Sequence, residues 1–216
     1  MRMRKKKWAD PWLEAHDDIA LAAPTECRGK WHELLDCQLL HVELGAGKGG
    51  YLNTMARMYP DEGWIGLEKD RSAAAVAARK AVESGEDLSS RRFIVNHAEN
   101  LADWFAPGEI DVLHLNFSDP WPKKSTHKRR LSSDSFLAMY RTLLAPDGII
   151  AMKTDNKDLF EASVIGFVKA GFCFREFSVD YRRTPHEEDA ITEYEQRFLD
   201  LGQPIYRFVA AEKEQL

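Results

Sequence analysis

The chain has 216 residues, 44% of them hydrophobic, with a formal net charge of -5 at pH 7. That is enough for one α/β domain with a sizeable core, and too little for two. No apolar run is long enough to cross a membrane, Trp8 to Trp12 is no signal-peptide core, and Cys27, Cys37, Cys173 and the histidines match neither a disulfide framework nor a metal pattern, so a cytoplasmic, metal-free protein is expected.

The chain opens on Arg2, Arg4, Lys5, Lys6 and Lys7, and residues 1–37 read as a basic arm and lead-in; residues 38–216 read as a single domain. Leu39 to Glu43 is a buried strand ending in an acid, followed by a helix from Gly49 to Met58 with Tyr51, Leu52, Met55 and Met58 on one face. Trp64 to Glu68 is a second strand, and the alanine-rich Ser72 to Glu83 a strong helix. Arg92 to Asn96 is a third strand, with a short helix from Glu99 to Trp104 behind it. Ile110 to Phe117 is a fourth, and the helix Ser133 to Leu144 is closed by Pro146-Asp-Gly148. Ile149 to Lys153 is a fifth, before a helix from Lys157 to Lys169.

Alternation of strand and helix predicts a Rossmann-like α/β fold with helices on both faces of a mostly parallel sheet. Right-handed crossovers then gather ligand-binding groups at the carboxyl ends of the strands. Phe172 to Val179 and Ile205 to Val209 break the rhythm, because a long segment and not a crossover helix joins them. A seven-stranded sheet with an antiparallel C-terminal strand follows, and the long segment reads as a lid or binding loop.

Gly45-Ala-Gly47-Lys-Gly49-Gly50 lies between the first strand and its helix, where glycines let backbone approach a ligand. Taken alone it also fits a dinucleotide fingerprint, with Glu68 as the ribose acid. Glu43, just before the first glycine, sits badly with a pyrophosphate but well with the ammonium and sulfonium of S-adenosylmethionine. After the fourth strand, Asn116-Phe-Ser-Asp119-Pro-Trp121-Pro122 holds a carboxylate and an indole on a turn stiffened by two prolines. Lys123 to Arg130 adds a basic knot beside it, so an acidic chain still offers a polyanion local patches.

These motifs, with Lys153-Thr-Asp155-Asn156, Thr192-Glu-Tyr-Glu195 and Gly202-Gln-Pro-Ile-Tyr206, make the chain resemble the bacterial tRNA (guanine-N7-)-methyltransferase family from end to end. The resemblance implies a methyl transfer from S-adenosylmethionine to N7 of a guanine in the variable loop of tRNA. It implies Glu43, Gly45, Gly47, Glu68 and Asp119 at the cofactor, with Asp119 as the catalytic residue. Lys123, Asp155, Thr192, Glu193, Tyr194 and Glu195 would contact the substrate, and Ser125, Thr126, His127, Lys128, Arg129 and Arg130 the RNA. The chain departs from the family at His97, where an acid or amide is usual; either Asn96 or His97 is left to meet the cofactor's adenine. Rival readings are an adenine amino-group methyltransferase, a non-catalytic RNA-binding protein and an NAD dehydrogenase.

Overall fold

A computed structural model of the chain describes residues 5–213, apart from the side chain of Glu193. The strands are β1 (Ala20–Leu21), β2 (Leu40–Leu44), β3 (Gly63–Leu67), β4 (Arg91–Ile94), β5 (Ile110–Asn116), β6 (Leu144–Thr154), β7 (Phe172–Ser178) and β8 (Tyr206–Glu212). The helices are α1 (Ala9–Glu14), α2 (Trp31–Leu34), α3 (Gly50–Met58), α4 (Arg71–Glu83), α5 (Leu101–Trp104), α6 (Asp134–Leu143), α7 (Lys157–Lys169) and α8 (Glu193–Asp200).

The described residues form one sheet in the order β1-β4-β3-β2-β5-β6-β8-β7. Neighbours from β1 to β6 pair parallel, while β8 runs against both β6 and β7. The antiparallel C-terminal strand is therefore present, but the sheet has eight strands and not seven. The added strand, β1, pairs only Ala20 and Leu21 with Phe93 and Ile94, too short a run to show any periodicity.

Local sequence accounts for most boundaries. Asp70 caps α4 by accepting hydrogen bonds from the amides of Ser72 and Ala73, a contribution of about 1 kcal/mol. Six alanines of α4 are buried, and side chains this small let it pack closely under α1 and α3. Pro146 to Gly148 does not close a helix as its sequence suggests. It lies within β6, where pairing jumps from Ile110 with Leu144 to Val112 with Ile149, an interruption that tolerates a residue without an N–H.

Two cores sandwich the sheet. One gathers Leu13, Tyr51, Leu52 and the α4 alanines against Trp64 and Phe93. The other gathers Trp31, Trp104, Leu137, Tyr140 and Phe167 against Leu40, Val42, Leu113 and Ile150. Within the lead-in, Ala9 and Leu13 are buried in the first of these cores and Trp31 and Leu35 in the second. Arg2 and Arg4 of the basic run lie outside the described residues. The sheet order reverses between β2 and β5, and a crevice at the carboxyl ends of the strands follows from that reversal.

Candidate active site

β2 delivers Glu43 into this crevice as a side chain only 3% exposed. Its Oε1 accepts a hydrogen bond from Asn116 Nδ2 at 3.1 Å, while Oε2 is buried without a partner. Burial pushes the carboxyl up to about 7, against the downward pull of the Asn116 bond, the nearby Lys153 charge and the Leu52 backbone amide, which lies close but outside hydrogen-bond geometry. An orphaned acceptor of this kind is costly unless a ligand donor completes it. Glu68, just past β3, accepts the Gly47 amide on Oε2 at 3.0 Å and the Asp70 amide on Oε1 at 2.8 Å. Each oxygen keeps a second lone pair, as ribose hydroxyls require. Gly45 and Gly47 adopt φ of 77° and 56°, and a Cβ at Gly45 would meet nothing within 4 Å, so the loop faces open space. An unpartnered buried carboxylate oxygen, a second carboxylate with lone pairs left for a diol and an open glycine loop fit S-adenosylmethionine.

At the end of β4 the two alternatives separate. Asn96 donates to the Ala22 carbonyl at 2.8 Å and accepts from the His97 amide and from Asn100 Nδ2. Its side chain is thus committed to the chain's own backbone and to Asn100, which argues against Asn96 as a cofactor contact. His97 is exposed, 3.9 Å from the Glu99 carboxylate, and is the one able to reach outward.

The turn after β5 is strained. Phe117 and Trp121 have φ of 50° and 40°, a left-handed conformation that costs non-glycine residues of order 1–3 kcal/mol each. Arg130 compensates from inside: it is 8% exposed, with Nε on the Pro120 carbonyl at 2.8 Å and Nη2 on that of Trp121 at 3.4 Å. Its guanidinium braces the turn from inside, with the Pro120 and Trp121 carbonyls as its partners. Asp119, at the apex, is exposed. The Trp121 indole lies between Lys69 Nζ at 5.9 Å and the Arg129 guanidinium at 5.0 Å. Lys123, Ser125, Lys128 and Arg129 are exposed on or beside a 3-10 turn, Lys124–Arg129. Thr126 closes that turn onto the Lys123 carbonyl at 2.7 Å, and His127 lies 3.4 Å from the Pro122 carbonyl.

Asp155 follows β6 half-buried, and burial raises its carboxyl above the ordinary range. The Tyr194 phenol is likewise raised, by burial first and then by the charges of Asp155 and Asp119. The Tyr194 ring is 47% exposed and lies 5.3 Å from Phe117 and 5.0 Å from Phe198. Thr192 caps α8, its hydroxyl accepting from the Glu195 amide at 2.8 Å, and Glu195 Oε2 in turn accepts from the Thr192 amide at 3.4 Å. Glu195 itself is fully buried, with Oε2 accepting from Lys153 and Oε1 from Arg182, so its carboxylate points inward.

Three residues have no role in the sequence reading yet shape this site: Asn116, Lys153 and Arg182. The first two carry a signal, since a polar side chain ending an otherwise apolar strand must be paired or used. Arg182 carries none, because its partners are set by tertiary contact. Among the described residues no group of His, Cys, Asp and Glu could hold a metal ion, and no helix is long and apolar enough to cross a membrane.

A family model described as "Putative methyltransferase" matches residues 37–208. The tRNA (guanine-N(7)-)-methyltransferase of Limosilactobacillus reuteri (strain DSM 20016) is 42% identical over 212 residues, covering 97% of this chain and 99% of that protein. The protein of the same name from Bacillus subtilis (strain 168) is 40% identical over 208 residues, 96% of this chain and 97% of its own. Among solved structures, an antibiotic-related methyltransferase aligns with a TM-score of 0.61 at 17% identity, over 82% of this chain and 89% of that one. A 16S rRNA (adenine(1408)-N(1))-methyltransferase from Catenulisporales acidiphilia aligns with a TM-score of 0.58 at 12% identity, over 87% and 92%. At these identities the structural likeness is one of fold.

Proposed function

The chain belongs to the tRNA (guanine-N7-)-methyltransferase family, and on that premise we propose that it transfers a methyl group from S-adenosylmethionine to N7 of a guanine in tRNA, at a site in the variable loop. Full-length relatedness carries this reading, and the acids converging on one edge of the sheet support it. Glu43, Glu68 and the Gly45–Gly47 loop hold the cofactor, with His97 facing its adenine. The cofactor supplies a methyl group on a cationic sulfonium.

Guanine N7 has an exposed lone pair and no proton, so no general base is needed. What the chain's residues must do is hold the base in line and accommodate the positive charge it acquires. Asp119 stands on the braced turn with a carboxylate suited to that charge. Asp155 accepts hydrogen bonds from the guanine N1–H and amino group, with Lys123, Thr192 and Tyr194 around the nucleotide. Lys128 and Arg129 meet RNA phosphates alongside Ser125, Thr126 and His127. The three free cysteines accord with the reducing cytoplasm as the compartment.

The test is methylation of bulk tRNA with labelled cofactor, nucleoside analysis, and borohydride–aniline cleavage to locate the modified base. Cleavage at a variable-loop guanine is the expected result. Label on an adenine amino group would replace this reading with another methyltransferase. Absence of cofactor binding by calorimetry would leave only an RNA-binding protein.

A further inference from the structure

Four charges lie sealed behind the substrate segment. Lys153, at the end of β6, is 0% exposed; its Nζ donates to Asp189 Oδ2 at 2.7 Å, to the Ala190 carbonyl at 3.2 Å and to Glu195 Oε2 at 3.2 Å. Arg182 donates Nε to Glu195 Oε1 at 2.6 Å and Nη2 to Asp189 Oδ2 at 2.6 Å. The Tyr51 hydroxyl of α3 donates to the remaining oxygen, Asp189 Oδ1, at 3.0 Å, and its ring lies 4.7 Å from Lys153 Nζ. Two cations and two carboxylates balance, and every carboxylate oxygen has a donor.

Such a network is a poor device for stability alone. Sealing charges away from water costs nearly what their attraction returns, and apolar groups of similar size often do as well. What it provides is a fixed geometry, and α8 needs one. Among the described residues of α8 only Glu195 is buried, and the helix's apolar contacts, such as Tyr194 with Phe117, are made by side chains that are only partly covered. Its first turn is tied to the sheet through the Glu195 carboxylate, and Thr192 is bound to Glu195 by the capping box. Lys153, the inner end of that tie, is two residues from Asp155 on the same strand end. Its carbonyl also accepts the amide of Phe117, the strained residue that opens the Asp119 turn, at 2.8 Å.

We propose that Lys153, Arg182 and Asp189 are positioning residues for methyl transfer, which act through Glu195 to hold Thr192 and Tyr194 against the edge bearing Asp119 and Asp155. The proposal rests on the functional reading above and adds to it the residues that set the substrate segment's place. They touch neither cofactor nor base. Their effect should fall on the rate at which a bound guanine is methylated, because tRNA affinity comes mainly from phosphate contacts on other residues.

The test compares Arg182→Met and Arg182→Lys with the parent in the full chain, with rates normalised to cofactor-binding sites titrated by calorimetry. In Arg182→Met, kcat on tRNA should fall by about tenfold or more, since misplacing reacting groups by an ångström costs this much or more. KM for tRNA and Kd for the cofactor should remain near the parent's values. Arg182→Lys, which keeps the charge but not the two-pronged grip, should recover part of the loss. A kcat equal to the parent's in Arg182→Met, or a loss confined to KM or cofactor affinity, overturns the proposal. If Arg182→Met does not fold, Arg182→Lys decides by the same criteria. If the parent itself fails to methylate tRNA, the functional reading falls; amide exchange then judges the positioning claim. Faster exchange confined to residues 189–200 in the variant upholds it, and unchanged exchange there overturns it.

Discussion

Glu43→Gln should stabilise the cofactor-free protein at alkaline pH while impairing its cofactor site. Burial raises the Glu43 carboxyl from an ordinary 4.5 to about 7. The unfolded chain therefore ionises first as pH rises, and folding stability falls between 4.5 and about 7, then levels off. At about 1.4 kcal/mol per unit, this penalty grows by roughly 2–3 kcal/mol between pH 5 and pH 8. Glutamine can still accept the Asn116 bond but never ionises, so the variant escapes the penalty. For a chain of this length each kcal/mol moves Tm by about 2–4 °C. Thermal melts should thus show the variant gaining roughly 5–10 °C on the parent at pH 8 relative to their difference at pH 5. Calorimetry at pH 8 should show about tenfold weaker cofactor binding or worse, from loss of a charge-assisted hydrogen bond. An identical Tm difference at both pH values would refute the argument, since it would mean that Glu43 ionises normally when buried.

Glu68→Ala should weaken S-adenosylmethionine binding by about tenfold or more, read by calorimetry, since it removes a charged acceptor worth roughly 1.5–3 kcal/mol; an unchanged Kd would take Glu68 out of the ribose site. Lys128→Ser with Arg129→Ser should weaken tRNA binding and flatten its log–log salt dependence by up to about two units, one per lost phosphate contact. An unaltered slope would make these charges a solvated face. Arg130→Ser should leave that slope alone and instead lower turnover, because it unbraces the Asp119 turn. Asn96→Ala should lower Tm through three lost hydrogen bonds, whereas His97→Asp should keep cofactor affinity; the reverse pattern would reassign the adenine contact.

The fold was legible in the sequence wherever the signal is local. Apolar runs of strand length alternating with helical periodicity identified seven of the strands and the long helices, because side-chain period follows directly from backbone geometry. The glycine loop, Glu43, Glu68 and Asp119 could be placed at strand ends for the same reason. What the residues could not reveal by themselves is which side chains face each other across the fold. Arg130 and Glu195 sit in motifs that read as exposed contacts, yet tertiary packing turns both inward. Glu43 meets Asn116 across 73 positions of chain, and Lys153 meets Glu195 across 42. Composition and spacing alone gave no sign of either pairing. Both depend on strand order and on how the 180–200 segment folds back over β6, and a buried charge takes its meaning from whichever partner that packing supplies.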